Sequence, residues 1–269
     1  MKKLILLVFV TVTFFSGCVE VVPEISTEFT YTGRKVLIEE FTGVQCVNCP
    51  EGSKKIEELV ALHGDNLIPI SIHAGDFSAP YSESLYDFNT PEGEILENSY
   101  LGPVIGFPIA VVNRKQFDGE NDLPIFLRSW AGHIATELLE EPKLDISIDN
   151  DFDETTRELT IEVSLNFSET VTEGLGISIM ILEDGIVDYQ LTPNGKQSDY
   201  IHKHVLRTML TDYTGDAIST NQTVSGQRPA FTYTFDVPAE WNAENCSVVA
   251  FVSQKGDNLD VLQANIEHF

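Results

Sequence analysis

The stretch that decides the fold is Val36-Leu-Ile-Glu-Glu-Phe-Thr-Gly-Val-Gln-Cys-Val-Asn-Cys-Pro50, in which an apolar segment runs into a Cys-x-x-Cys pair. The apolar residues 36–41 predict a buried strand. Directly afterwards, Gly52–Leu62 carries apolar residues at helical spacing, which predicts a helix. Cys46 then lies at or just before the helix N-terminus, where unpaired N–H groups and the helix dipole favour a thiolate. The stretch therefore predicts a thiol redox site at Cys46 and Cys49.

Segments downstream of this stretch extend it into a domain of alternating strands and helices, residues 33–142. Leu67–His73 reads as a second buried strand, and Val104–Asn113 as a third that contains Gly106-Phe107-Pro108. Ile125–Leu139 has helical spacing, and Pro142 ends it. Alternating strands and helices predict an α/β sheet with helical crossovers.

The texture of the sequence changes at Lys143. From there to the C-terminus, short segments either alternate apolar and polar residues or are apolar throughout. Turn clusters such as Asp184-Gly185 and Pro193-Asn-Gly195 separate these segments. This pattern is typical of an antiparallel sandwich. We therefore expect residues 143–269 to form an all-β, immunoglobulin-like sandwich domain.

The N-terminus predicts export. Lys2 and Lys3 precede an apolar run that ends in Phe-Ser-Gly-Cys18, which is the pattern of a secretory signal peptide over residues 1–17. A cysteine directly after Ser-Gly resembles a bacterial lipobox, so Cys18 is the expected lipidation site and residues 18–32 the expected tether. The alternative is an ordinary signal peptide that contains a cysteine.

Charge and cysteine usage narrow the possible partners. The chain has 42 acidic and 16 basic residues, a formal net charge of −26, and such a surface repels nucleic acid and anionic membranes. With Cys18 lipidated and Cys46 paired with Cys49, Cys246 remains alone ahead of an apolar segment. It is expected to be an inert core thiol.

The first domain resembles a thioredoxin-like domain in the order of its features. These are a strand, Cys-x-x-Cys-Pro, a helix and a later Gly-Phe-Pro that opens a strand. The chain is also expected to be exported and to have a C-terminal β domain, and it contains the stretch Glu-Glu-Phe-Thr-Gly-Val-Gln-Cys-Val-Asn-Cys-Pro-Glu-Gly. In this combination it is similar to Omp28-type outer-membrane lipoproteins of Bacteroidetes. The thioredoxin resemblance covers about 110 residues, and the Omp28 resemblance covers most of the mature chain. The implied location is the outer membrane, on its periplasmic or surface face.

The thioredoxin resemblance assigns a role to each matching position. Cys46 is the more exposed, attacking thiol, and Cys49 is the buried resolving thiol. Glu40 takes the place of a buried acid that accepts the Cys49 proton. Strand alternation gives a plainer interpretation, in which Glu39 and Glu40 face opposite sides and the exposed one is ordinary.

Three further positions are assigned to substrate binding by the same resemblance. Pro108 matches a cis proline that faces the cysteines, and the backbone of Phe107 is then available to an extended substrate. Gln45 stands on the rim of the site, where thioredoxins usually carry an aromatic residue. Phe107 also departs from the usual Thr or Val.

Two functions remain open from the sequence. One is thiol–disulfide exchange with cell-envelope proteins or a redox partner protein, with no cofactor. The other is a non-catalytic surface lipoprotein for adhesion or assembly, in which Cys46–Cys49 is a structural disulfide. A zinc site is disfavoured because no second ligand pair follows at finger spacing. His202 and His204 would share a face if their segment is a strand, which would allow a common ligand or metal.

Overall fold

The computed structural model describes residues 31–101 and 106–269. The expected signal peptide 1–17, the lipidation site Cys18 and nearly all of the tether 18–32 lie outside the described residues. The described part is mostly β-sheet with few helices.

The elements of the first segment follow the predicted order. They are β1 (Val36–Thr42), α1 (Cys49–His63), β2 (Leu67–His73), α2 (Pro91–Ile95), β3 (Ile109–Val112), β4 (Ile125–Phe126) and α3 (Leu127–Glu137). The last turn of α2 continues into a π-helical stretch, Leu96–Leu101.

The second segment consists of strands joined by short turns. They are β5 (Leu144–Phe152), β6 (Glu158–Phe167), β7 (Leu175–Glu183), β8 (Ile186–Thr192), β9 (Gly195–His202), β10 (Val205–Met209), β11 (Asp216–Ile218), β12 (Ala230–Asp236), β13 (Cys246–Gln254) and β14 (Val261–His268). The clusters predicted as turns at 184–185 and 193–195 do join β7 to β8 and β8 to β9.

One large sheet carries strands of both segments. Its order is β14-β13-β7-β10-β2-β1-β3-β4, with β11 paired to β7. The two segments meet where β10 pairs in parallel with β2, at Val205 and Ser71. The expected boundary at 142/143 thus falls between α3 and β5, and the sheet continues across it.

Strand β1 is buried along its whole length because both faces of the sheet are covered around it. Even-numbered residues such as Ile38 pack on Ile56 of α1 and Trp130 of α3. Odd-numbered residues such as Phe41 face a second apolar core, shared with β7 and β13. This two-sided burial explains why apolar residues occur at both even and odd positions of the strand.

The alternating strands of the second segment bury one face each. In β5 and β6, every second residue is buried against one face of β7 and β13, and β12 completes the three-stranded sheet on that side. The other face of β7 supplies Met180 and Leu182 to the core beside β1. These short strands therefore pack in two layers, one of which is part of the large sheet.

Several predicted boundaries differ from the structure. Helix α1 begins at Cys49 and not at Gly52, because proline is tolerated in the first helical turn and Pro50 lies there. The helix predicted from Ile125 begins at Leu127, since Ile125 and Phe126 pair with β3. The strand predicted over 104–113 is limited to β3, and residues 102–105 lie outside the described residues.

Candidate functional site

The two cysteines lie in the turn that joins β1 to α1. The Cys46 amide donates to Gly43 O at 3.0 Å, and the Cys49 amide donates to Cys46 O at 3.3 Å. The two thiols are joined as a disulfide, with Cα atoms 5.4 Å apart. Cys46 is only 4% exposed and Cys49 1%. The order of exposure is as expected, but the expected open thiol at Cys46 is covered.

A hairpin from the second segment covers this turn. Leu191 N on β8 donates to Val44 O at 2.7 Å. The buried side chain of Gln190 donates through Nε2 to Gly43 O at 3.3 Å and to Cys46 O at 3.1 Å. Sequence reasoning missed Gln190 because the contact joins residues about 150 positions apart, and local periodicity carries no signal for such a contact.

Glu40 lies beneath the first turn of α1, on the face of β1 that the resemblance implied. It is fully buried, and Ser71 Oγ donates to its Oε2 at 3.5 Å. A Cβ atom at Gly52, one turn after Cys49, would lie 2.2 Å from Glu40 Oε1 and 2.8 Å from Pro108 Cβ. Burial raises the pKa of Glu40 to about 8, so the carboxyl can give or take a proton near neutral pH.

The expectation that one of the two neighbouring glutamates is exposed is wrong. Glu39 is also buried, because the opposite face of β1 is covered as well. Arg114 donates to Glu39 through Nε at 2.9 Å and Nη2 at 2.7 Å, and its Nη1 donates to Tyr213 O. Burial alone lowers the pKa of Arg114, but Glu39 more than offsets this and the net shift is upward. Glu39 is thus the structural member of the pair.

The peptide bond between Phe107 and Pro108 is cis, as the thioredoxin resemblance implied. It borders an open cavity of about 480 Å³, which Asn48, Phe107, Pro108 and Phe126 help to line. Exposed Phe77 lies beside the rim, its ring centroid 5.9 Å from that of Phe107. Apolar side chains form much of its lining, together with Asn48, Glu51 and Arg128, and Asn48 places the cavity beside the turn that holds the disulfide.

Gln45, the predicted rim residue, is hydrogen-bonded to a neighbouring loop. Its Nε2 donates to Ala79 O at 2.7 Å, and its amide donates to Phe77 O at 2.9 Å. The residue therefore ties the cysteine turn to the loop after β2.

A second cavity, of about 420 Å³, lies on the Glu40 side of the site. We call it the α1 cavity; it is bounded by α1, by β1 and β2, and by the hairpin β8–β9. Its lining includes Glu40, Ser71, His73 and His202. Burial lowers the pKa of His73 well below its ordinary value and that of His202 to about 4.

His202 and His204 do not share a face. Strand β9 ends at His202, and His204 has a φ of 55° in the following turn, where its ring lies 3.4 Å from both Glu57 and Asp184. Among residues 31–101 and 106–269, no group of three or more metal-binding side chains converges. The histidine segment therefore gives no metal site in this part of the chain.

Cys246 is a free thiol at the start of β13, as expected. Burial raises its pKa to about 12, so it remains a thiol at neutral pH. In the described part of the chain, none of the helices is long and apolar enough to cross a membrane.

The fold and site define a mostly β protein that carries a Cys-x-x-Cys disulfide over a buried carboxyl. The sequence pattern of the family described as "Outer membrane protein Omp28" matches residues 97–268, more than half of the chain. The chain therefore belongs to the Omp28 family, which places it in the outer membrane of the cell envelope.

Two solved structures have a similar fold at low sequence identity. HBP35 of Porphyromonas gingivalis has a TM-score of 0.70 at 19% identity, over 90% of this chain and 77% of that chain. A structural-genomics protein of Agrobacterium tumefaciens has a TM-score of 0.54 at 14% identity, over 87% of this chain and 94% of that chain. A domain of the outer membrane lipoprotein Omp28 of P. gingivalis, at 17% identity, covers 48% of this chain and 90% of its own length with a TM-score of 0.32. No curated protein sequence matches this chain.

Proposed function

We propose that this outer-membrane protein exchanges disulfides with other cell-envelope proteins through Cys46 and Cys49. The observation that carries the proposal is the position of Glu40, a buried carboxyl with a pKa of about 8 beneath the turn of α1 that holds Cys49. A disulfide that only braces the fold needs no proton donor. A disulfide that opens and closes needs one, because Cys49 changes between thiol and disulfide sulfur in each cycle.

The exchange runs in two displacements. A thiolate of the partner attacks Cys46 Sγ, the Cys46–Cys49 bond breaks, and Cys49 leaves as a thiolate that takes the proton of Glu40. The second thiol of the partner, as its thiolate, then attacks the mixed disulfide, and Cys46 leaves with the electron pair. The partner ends as a disulfide and this chain as a dithiol. In the reverse direction, the Glu40 carboxylate takes the proton of Cys49. The resulting Cys49 thiolate then attacks Cys46 Sγ in the mixed disulfide.

The surroundings of the disulfide suit a protein partner. The cavity beside Pro108 is open and largely apolar, and Phe107 and Phe126 supply a contact surface for an extended segment. We propose residues 33–142 as a thioredoxin-like domain whose sheet is continued by strands of an immunoglobulin-like segment, 143–269. We further propose that Cys18 is lipidated and anchors the chain, as in the lipoproteins of Bacteroidetes that it resembles.

A trapping experiment tests the exchange. In the Cys49→Ser variant the resolving thiol is missing, so Cys46 should hold its partner in a mixed disulfide that dithiothreitol releases and mass spectrometry identifies. Cys46→Ser is the matched control, because it leaves a single cysteine in the same turn. Equal trapping by both variants, or by neither, would contradict the assignment of Cys46 as the attacking thiol.

A structural disulfide in a non-catalytic surface protein is the second candidate. The observation in its favour is the burial of both cysteines beneath Gln190 and the β8–β9 hairpin. The two candidates differ in the stability of the disulfide to reduction, which a redox titration measures.

A further inference from the structure

The α1 cavity connects the buried carboxyl of Glu40 with the protein surface. Its inner wall consists of buried side chains, among them Glu40, His73 and His202, whereas exposed Asp199 and Lys203 line its outer part. A water molecule occupies about 30 Å³ in the liquid, so a volume of about 420 Å³ accommodates several.

Three buried polar atoms in the wall require a partner that the protein does not supply. Among the described residues, Glu40 Oε1, His73 Nδ1 and His202 Nε2 have no hydrogen-bond partner. All three side chains are at least nine-tenths buried. Buried polar atoms nearly always have a partner, and water is the partner that fits a polar cavity open to solvent.

The two imidazoles are suited to pass protons. The ring of His202 donates to the backbone carbonyl of Tyr189, which leaves its Nε2 as an acceptor on the cavity side. Its centroid is 5.6 Å from that of His73. Because its other nitrogen is held by Tyr189, His202 can take and return a proton only at Nε2, as a short-lived imidazolium between cavity waters.

The charged and titratable groups around the two rings come from several elements. Arg207 of β10 acts on His73, and Asp188 of β8 acts on His202. Burial is nevertheless the largest influence on the pKa of either ring, and both rings are neutral at neutral pH. The mouth of the cavity also carries Glu57, Tyr200 and Lys203.

We propose that His73, His202 and water in the α1 cavity form a proton path between Glu40 and solvent. In the proposed exchange, on which this use of the path rests, Glu40 gives a proton to the Cys49 thiolate and must be reprotonated before the next cycle. The first turn of α1 covers Glu40 Oε1 from the disulfide side. The opposite side of the Glu40 carboxyl borders the α1 cavity. The proton that Glu40 loses is replaced from solvent through this cavity.

The path is testable without any disulfide exchange. At mildly acidic pH Glu40 is a carboxylic acid, whose carbonyl stretch in the infrared shifts when its proton is replaced by deuterium. Glu40→Gln identifies the band, since it removes this one carboxyl. After rapid mixing of the oxidised protein with D₂O, a connected Glu40 exchanges at a rate that the mixing resolves and that is much faster than global unfolding. A sealed Glu40 exchanges only when the protein unfolds, as slowly as the most protected amides of β1.

Substitutions in the wall identify the carrier. His202→Phe keeps a ring of similar size and should slow the deuteration of Glu40 at least tenfold. His202→Gln retains a polar end group and should slow this deuteration less. Phe88→Leu is the matched control, because the Phe88 ring lies 4.7 Å from that of His202 and carries no exchangeable proton. It should exchange like the unmodified protein.

The outcomes separate this inference from the proposed function. Slow exchange in the unmodified protein, or equal exchange in His202→Phe and Phe88→Leu, overturns the proton path even if the disulfide is redox active. Fast exchange that depends on His202, together with a disulfide that never exchanges, supports the path and overturns the proposed function.

Discussion

Glu39 and Glu40 are neighbours on one strand, and both are buried, yet they occupy opposite chemical situations. Glu39 faces the core shared with β7 and β13 and accepts a bidentate pair of hydrogen bonds from Arg114. Glu40 faces α1 and the cavity, where its hydrogen-bond partner is the Ser71 hydroxyl at 3.5 Å. The same residue type thus serves as the partner of a buried guanidinium on one face and as a titratable acid on the other.

The difference shows which surroundings make a buried acid useful for chemistry. A carboxylate that accepts two hydrogen bonds from a buried guanidinium is held in place, and the pair is part of the fold. A carboxyl whose burial is not offset by a cation is poised near neutral pH and can exchange protons.

The largest effect is expected from Arg114→Met. This change leaves Glu39 as a buried charge without its cation and should lower the free energy of unfolding by about 3–5 kcal/mol. Urea unfolding at neutral pH measures the loss. The double variant Glu39→Gln, Arg114→Met should recover part of it, because a neutral amide is less costly to bury. A loss below about 1 kcal/mol would show that Glu39 is not a structural ion.

Glu40→Gln should have the opposite effect on stability. The pKa of Glu40 is raised from 4.5 to about 8, so between these values the folded chain holds a proton that the unfolded chain has lost. The contribution of Glu40 is therefore fully present below about pH 4.5 and is lost as the pH rises towards 8. The variant has no such proton. Its free energy of unfolding should therefore rise relative to that of the unmodified protein by about 1.4 kcal/mol per pH unit in this window.

Unfolding free energies at about pH 5 and about pH 8 test this, because the other titrating groups are common to both proteins. A difference that does not change with pH would contradict the assignment. The same variant should slow disulfide exchange by about a hundredfold, the low end of what a positioned proton donor contributes.

Gly52→Ala should have a smaller effect on stability. Its Cβ would lie 2.2 Å from Glu40 Oε1, and overpacking of this kind costs about 1–3 kcal/mol. Gly132→Ala in α3 is the matched control, because a Cβ there meets no other atom within 4 Å, and it should stabilise by up to about 1 kcal/mol through helix propensity. Thermal unfolding compares the two. Equal shifts would mean that α1 does not rest directly on Glu40.

Much of the first segment was predictable from local patterns. The strand, the Cys-x-x-Cys turn, the helix and the Gly-Phe-Pro turn each have a signature within a few residues, and the structure contains all four. The strands of the second segment were recognisable by their alternation. The pairing of β10 with β2 was not, since register between distant strands depends on tertiary contacts that no local pattern records.

The candidate site was predictable only on its local side. Cys46, Cys49, Glu40 and Pro108 lie together, but the cover over the cysteines comes from Gln190. The partner of Glu39 is Arg114, which follows β3 and has no motif of its own. Because β1 is covered on both faces, alternation alone did not reveal that both glutamates are buried.

A redox titration of the Cys46–Cys49 pair tests the central claim most directly. The protein is equilibrated in buffers of defined potential, free thiols are alkylated, and mass spectrometry gives the reduced fraction. A disulfide used for exchange should have a midpoint between about −180 and −270 mV, the range of disulfide isomerase and thioredoxin. A pair that stays oxidised below about −300 mV would be a structural disulfide and would contradict the account.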